Sequence, residues 1–501
     1  MAISTKSSVF GVMKETTEGT YLVPAASTDY VALRPDAAMA PSIETLENEE
    51  VKSSIGASQP ILGNEAPTYS VSHYIKHSGV EGQAPAYGKF LESLFGAVDT
   101  EATQYDTVSS STTSVIKVDT GEGAQFRRGQ ALLIKDSTNG YRIRAVESIS
   151  SDDLTLMFRL PSAPSSGVNL GKATTYYPAN SGHPTLSLTH YLGNGGAIQA
   201  MTGARVVSAS ITGESGALLD GSFSMEGNGY YLNPIIITSS TEVLDFLDDA
   251  TTRAVSVDVK TYKCPEDLAA ALETAMNAAG SSNTFTVSFS KTTGKFTIAS
   301  SGTTLSLLWN TGANAASSIG TKLGFLVAAN DTGALTYTSD NAITLTAPHT
   351  PSYDSSNPVA VKNQEVMVGS VSDYLCFAAS SFEFSVESPK TNILSICAES
   401  GISSSVVNER TVTVTVSGYL TQYDSDIFYK FIKGQNVKFQ YSFGEKVGGN
   451  WVAGKCGCIS LPTATVSSYE VTDVDGVVGL NLTLTGYVNA SGEGECFISF
   501  V

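Results

Sequence analysis

The chain has 501 residues, enough for about three domains of ordinary size. Charged residues make up 15% of it against roughly 25% in an average soluble protein, which excludes a highly charged disordered chain. The formal net charge of −19 has the wrong sign for a protein that grips nucleic acid by neutralising phosphates.

Taken in chain order, the first strong signal is the alternation Tyr69-Ser-Val71-Ser-His73-Tyr-Ile75, which predicts a strand. A helix follows over Pro85 to Phe95, with Tyr87, Phe90, Leu91, Leu94 and Phe95 on one face and Gly96 as its stop. Residues 105–177 carry Phe126-Arg-Arg-Gly-Gln-Ala-Leu-Leu-Ile and Leu154-Thr-Leu-Met-Phe and read as an inserted small β-barrel. Strands are then expected at Thr185 to Tyr191, Val206 to Ile211 and Ser222 to Gly227. Residues 235–348 differ in character, with a helix over Pro265 to Ala279 and strands at Phe285 to Phe289 and Lys295 to Ile298, and read as a second, α+β insertion. The last third has the cleanest strand, Thr411-Val-Thr-Val-Thr-Val416, a helix over Ser425 to Lys433 followed by Gly434, and strands at Val437 to Phe443 and Leu480 to Thr485.

Setting the two short helices in register exposes an internal duplication. Tyr69 to Ile75 parallels Arg410 to Tyr419, Thr185 to Tyr191 parallels Val437 to Phe443, and Ser222 to Gly227 parallels Asn481 to Gly486. The division this implies is 1–104 and 178–234 for one unit, interrupted by 105–177, then 235–348 as the second insertion, and 349–501 for the other unit.

Chemistry finds little purchase. The five histidines, 73, 77, 183, 190 and 349, make no metal-ligand spacing, and there is no nucleophile elbow, phosphate loop or dinucleotide fingerprint. No catalytic residue, cofactor or metal is expected. Asp473-Val-Asp475-Gly476 lacks the closing Glu of a calcium loop and reads as a hairpin turn. Cys456 and Cys458 fall on one face of a strand and read as reduced core thiols. Arg127, Arg128, Lys135, Arg142 and Arg144 read as a solvated barrel face. Asp248-Asp249 reads as a turn and Trp309 as core. No run is long enough for a membrane helix, and the N-terminus lacks a secretory signal, so the expectation is a soluble chain assembled in cytoplasm.

The opening, Val9-Phe10-Gly11-Val12-Met13-Lys14-Glu15-Thr16-Thr17-Glu18-Gly19-Thr20-Tyr21-Leu22-Val23-Pro24 and then Asp29-Tyr30-Val31-Ala32-Leu33-Arg34, resembles the start of tail tube (major tail) proteins of long-tailed bacteriophages. The Thr-Val-Thr-Val strand, the helix near Phe428, the glycine turn at 448–450 and the terminal Cys496-Phe-Ile-Ser-Phe-Val501 are similar too. The resemblance implies a mainly β chain with two tail-tube-type β-sandwich domains, each with a flanking helix, plus the two insertions on the exterior. It implies rings stacked into a virion tail tube that conducts genome DNA without binding it tightly. A duplicated chain needs three copies for a pseudo-sixfold ring, so a homotrimer is expected, with tail terminator, tape-measure and tail-tip proteins as further partners. Lumen charge is assigned to Glu44, Glu47, Glu383 and Glu387, inter-ring loops to Glu49, Glu50, Lys52, Lys390 and Glu399, and an N-terminal arm on a neighbouring subunit to Phe10, Lys14, Glu15 and Tyr21. The competing reading is a β-rich tail adhesin that binds host glycan through exposed aromatics in the insertions, such as Trp309 or Tyr141.

Overall fold

A computed structural model describes residues 4–50, 59–372, 374–376, 378–420, 425–474, 476–489 and 494–501. Short alternating segments give an antiparallel β fold, as the Val/Thr/Ser-rich pattern requires. In the first third these are β1 (Val9–Lys14), β2 (Ala38–Ala40), β3 (Ile43–Leu46), β4 (Ile61–Glu65) and β5 (Thr68–Tyr74), then helix α1 (Gly88–Phe95). After an excursion come β6 (Leu186–Leu192), β7 (Ala197–Glu214), β8 (Asp220–Glu226) and β9 (Gly229–Leu232). A second excursion holds helix α2 (Pro265–Asn277). The last third has β10 (Glu365–Gly369), β11 (Ala379–Glu387), β12 (Lys390–Leu394), β13 (Ile402–Val407), β14 (Thr411–Tyr419), helix α3 (Ser425–Lys433), β15 (Asn436–Val447), β16 (Asn450–Val474), β17 (Val477–Gly486) and β18 (Phe497–Phe500).

One pairing network occurs twice. β1–β6, β6–β7, β7–β8, β8–β5, β5–β2, β3–β4 and β7–β9 pair in the first third. Their counterparts β10–β15, β15–β16, β16–β17, β17–β14, β14–β11, β12–β13 and β16–β18 pair in the last. Strands set in parallel from the sequence thus occupy equal places in the two networks. In each unit one long strand serves two sheets: the first half of β7 or β16 lies in an outer layer and the second half in an inner one. A bulge marks the passage, between Val206 and Ser208 and between Val466 and Ser468.

The core lies between these layers. Phe10 and Val12 of β1, Leu186 and Leu188 of β6, Tyr69 and Val71 of β5, Phe223 of β8 and Phe90 and Leu94 of α1 are buried together. α1 starts at Gly88, three residues after Pro85, because Pro85 to Gly88 form a turn closed by the Gly88 N–H on the Pro85 carbonyl (2.8 Å). Any side chain at position 88 would collide with the Tyr176 hydroxyl. Gly96, at φ 93, closes the helix in the left-handed conformation that glycine tolerates.

The units are joined edge to edge. β7 pairs antiparallel with β11 over seven positions, from Ser208 opposite Glu387 to Glu214 opposite Ser381. The inner layers therefore form one eight-strand sheet in the order β2-β5-β8-β7-β11-β14-β17-β16.

The two excursions carry sheets of their own. Strands of residues 105–170 form a six-strand sheet that lies on the outer layer of the second unit, with Leu133, Ile143, Met157 and Phe158 against Met367, Trp451, Cys456 and Cys458. The Gln440 amide clamps this contact by accepting from Ala145 N (3.0 Å) and donating to the Ile143 carbonyl (3.0 Å). The basic residues expected to face solvent anchor it instead: Lys135 pairs with Glu81 (2.6 Å), Arg127 with Asp99 (3.0 Å), and Arg142 and Arg144 lie 3.9 and 3.6 Å from Glu365. The second excursion has its own core around Leu268, Phe285 and Trp309.

Candidate functional site

The surface that stands out is the face of the eight-strand sheet turned away from the core. Alternation decides its composition, since every second residue of each strand points there. Ladder rows follow from the registers. One row runs Ser72, Ser222, Ser210, Ser385, Thr413, Thr485. The next runs Tyr74, Asp220, Thr212, Glu383, Thr415, Thr483, Ser468. A third joins Glu214, Ser381, Ser417, Asn481 and Glu470. Behind these rows, Val71, Phe223, Ile211, Phe384 and Val414 are buried.

Ser and Thr are short, so the face is smooth, and its hydroxyls satisfy each other locally, as in the 2.8 Å Ser210–Ser222 contact. Its charges are carboxylates: Asp220, Glu214, Glu226, Glu383, Glu387 and Glu470, with Arg34 reaching Asp220 at 3.1 Å. Such a surface, with its carboxylates in excess of the one guanidinium of Arg34 that Asp220 engages, repels a polyanion.

Among the residues assigned to lumen charge, Glu383 and Glu387 lie exposed on this face in β11. Glu44 lies on the β3–β4 hairpin, where it accepts from Asn64 Nδ2 (3.2 Å), and Glu47 is exposed beyond β3. The structure does not bring these two pairs together. Sequence reading missed Asp220, Glu214 and Glu470; their signal was the same alternation of acid or hydroxyl with apolar residue that marked β11.

Of the loop residues, Glu49 and Glu50 are exposed and Lys52 lies outside the described residues. Lys390 donates to the Gly227 carbonyl (3.2 Å) and Asn228 Oδ1 (3.1 Å), and burial pulls its pKa down to about 8. It fastens the β12–β13 hairpin to the first unit, helped by Arg205, which binds Glu18 (3.2 Å) and Ser405 (2.8 Å). Glu399 is exposed on that hairpin's turn, 3.8 Å from Lys263. Both hairpins expose apolar side chains, Leu46, Ile61 and Leu62 on one and Ile393, Leu394 and Ile396 on the other.

The N-terminal stretch expected to lie on a neighbouring subunit belongs to the chain's own fold. Phe10 is buried in β1, which pairs with β6 along its whole length. Glu15 accepts from Gly203 N, Gly19 N and Ser187 Oγ, and burial raises its carboxyl above the usual range. Tyr21 contacts Thr189 Oγ1 at 3.1 Å and stacks on Tyr231, while Lys14 makes an exposed pair with Glu92. Its first strand, buried from Val9 to Val12, has partners in its own chain, which a family resemblance alone could not show.

Elsewhere the chemistry is structural. Asp248 is held by Arg253 (3.0 Å) and Asn283 (2.7 Å), and Asp249, at φ 51, accepts from the amides of Thr303 and Thr304, so this pair is a turn. Trp309 is buried against Phe325 and donates to Asp331, and Tyr141 is partly exposed. Gly476 N donates to Asp473 Oδ1 (2.8 Å) in the β16–β17 turn; Asp475 lies outside the described residues. Cys456 and Cys458 are buried, and burial pushes the Cys458 thiol up to about 12. Among the described residues no group of His, Cys, Asp or Glu could hold a metal, and no helix is long and apolar enough to cross a membrane.

These features define a mainly β protein whose main sheet presents an acidic, hydroxyl-rich face. Residues 5–252, about half of the chain, match the phage tail tube protein family, and the chain belongs to that family of virion tail components. Among solved structures, the SPP1 tail tube determined by solid-state NMR and cryo-EM is similar over 29% of this chain and 80% of that one, at 14% identity and a TM-score of 0.22. The tube terminating cap of the anti-feeding prophage is similar over 31% of this chain and 100% of that one, at 11% identity and a TM-score of 0.23. No curated protein matches.

Proposed function

We propose that the chain is the ring subunit of a hollow tail tube, its hydroxyl and carboxylate face lining the bore through which genome DNA passes. The observation that carries this is the continuous ladder of Ser, Thr and carboxylate across both units, backed everywhere by core. A conduit for DNA has to avoid holding it, and short hydroxyls with net negative charge do that.

Three copies close the ring. Strands ~4.8 Å apart and tilted ~40° take up about 6.3 Å of circumference each, so twenty-four strands close to roughly 48 Å across between backbones. Two copies would close to roughly 32 Å by the same geometry, which side chains on both walls narrow to little more than a duplex. The hairpins β3–β4 and β12–β13 project apolar tips and reach the ring above or below. The two units are copies of one tube domain, and the insertions at 105–177 and 235–348 sit outside the barrel, where they leave the bore clear. Tail terminator, tape-measure and tail-tip proteins complete the assembly in the host cytoplasm. The role is structural, with no reaction catalysed.

Negative-stain electron microscopy of the purified chain tests this. Hollow tubes or open rings are the expected result; compact particles that never stack and that bind glycan would replace it with the adhesin.

A further inference from the structure

Where the first excursion meets the second unit, three cations face one carboxylate. Lys446 Nζ lies 2.9 Å from Glu365 Oε1, Arg142 lies 3.9 Å from the same oxygen, and Arg144 lies 3.6 Å from Oε2. Only the lysine contact is a hydrogen bond. Arg144 donates to the Ile143 carbonyl (2.7 Å), and Arg142 meets no hydrogen-bond acceptor among the described residues. The Nε atoms of both arginines are buried without a partner, and so is Nε1 of Trp451, whose ring lies 4.0 Å from Lys446 Nζ. A buried charge is costly unless it is both paired and hydrogen-bonded. The Arg144 side chain is 5% exposed, so its guanidinium is a buried charge whose only carboxylate is engaged by Lys446.

We propose that this cluster binds a phosphate group, seated on the guanidiniums of Arg142 and Arg144 with Lys446 as the third cation. The shape of the donor set selects that ligand. One guanidinium fork matches one planar carboxylate. Arg142 and Arg144 stand two apart on the strand Gly140–Ser150, so they leave the same face with their backbones about 6.8 Å apart. Two forks at that spacing approach an anion from different directions, and a tetrahedral oxyanion presents oxygens to both. The Asn450 amide adds a further donor: its Oδ1 accepts from Tyr141 N (2.9 Å), and its Nδ2 meets no acceptor among the described residues. A Cβ placed at Gly140 would lie 3.2 Å from Asn450 Oδ1 and 3.9 Å from Arg142 Nη2, so the amide stands beside the guanidinium.

The site opens to solvent at Arg142, whose side chain is 36% exposed. Other carboxylates near it are engaged. Asp136, opposite Gly140, accepts from the amides of Thr138 (2.8 Å) and Asn139 (3.1 Å), and Glu445 pairs with Lys455 (3.0 Å). Glu365 belongs to β10, which pairs with β15 in the outer layer, so the cluster lies apart from the acidic face of the eight-strand sheet. Free phosphate and a phosphate monoester share this chemistry, and titration separates them.

Isothermal titration calorimetry of inorganic phosphate into the full-length protein, at an ionic strength held constant with chloride, tests the site. Saturable binding is expected, with acetate weaker by about tenfold or more. Arg142→Gln should weaken phosphate binding about tenfold. Glu365→Gln should tighten it about threefold by removing the opposing carboxylate, a result that a merely structural ion network would not give. Lys455→Gln removes an equal charge from an exposed pair in β16 and should leave binding unchanged. Glycerol phosphate binding more tightly than inorganic phosphate assigns the site to an ester, and the reverse assigns it to the free ion. No saturable heat above the chloride baseline, acetate binding as well as phosphate, or equal weakening by Arg142→Gln and Lys455→Gln overturns the site and leaves the tube reading standing.

Discussion

The two tube-like units have the same strand pairing and different surroundings. The first is enclosed: β11 covers its inner edge, α1 is buried, and the β12–β13 hairpin is fastened to it by Lys390, Arg205 and Glu18. The second is enclosed outside, where the 105–170 sheet covers Trp451 and Cys458, while Phe428, Tyr429 and Ile432 of α3 and Val471 of β16 are exposed. Matching residues are thus buried in one unit and exposed in the other. Substitutions at equal places should separate the two.

The largest effect on the folded chain is expected at the internal joint. Phe384→Ala removes a ring that is 1% exposed and should cost about 3–5 kcal/mol in urea unfolding. Val471→Asp, at a position 57% exposed in β16, should change monomer stability by less than about 0.5 kcal/mol while weakening ring formation in size-exclusion chromatography. Equal destabilisation by both would remove the distinction.

Acid should open the contact between the units next. His77 packs between Phe443 and Phe500 of the second unit, and His73 against Tyr87; burial pushes both imidazoles down to about 3. Above pH ~6.5 both rings are neutral folded or unfolded, and nothing is lost. As pH falls from there towards 3 the unfolded chain takes up protons that the folded chain refuses, so stability declines, by about 2 kcal/mol per ring at pH 5. Urea midpoints at pH 7.5 and 5 check this, and His77→Leu should flatten the dependence.

A smaller effect distinguishes the hairpins. Glu18→Ala strips Arg205 and Ser405 of a carboxylate and should cost about 1–3 kcal/mol, with faster proteolysis at the β12–β13 turn. Glu44→Ala on the exposed β3–β4 hairpin should stay within about 0.5 kcal/mol. The least effect on stability is expected from Glu383→Lys with Glu387→Lys, both exposed. These tubes should nevertheless retain DNA, in a salt-dependent way, where the unmodified ones do not.

Much of this was legible in the chain. α3 spans Ser425–Lys433 as its apolar stripe predicts, and α2 ends two residues short of Ala279. The paired strands showed because their alternation is regular on a sheet with one wet face. The long strands did not show. β7 and β16 pass from an outer layer buried on both sides to an inner layer buried on one, so the period breaks at the bulge, and Val206 to Ile211 looked like a strand by itself. The acidic face was half visible: Glu383 and Glu387 share it with Asp220 and Glu470, but only the registers show that strands so distant in sequence place them on one surface. The basic cluster misled because its partners, Glu81, Asp99 and Glu365, lie far away in the chain.

The central claim is that a chain with two tube units closes a bore with three copies. Native mass spectrometry of the smallest assembled unit, paired with an end-on cryo-EM view, tests it most directly. Three chains of 52.4 kDa, about 157 kDa, around an open bore lined by the hydroxyl face is the predicted result. A six-chain ring, or a three-chain particle with that face turned outward, would contradict it.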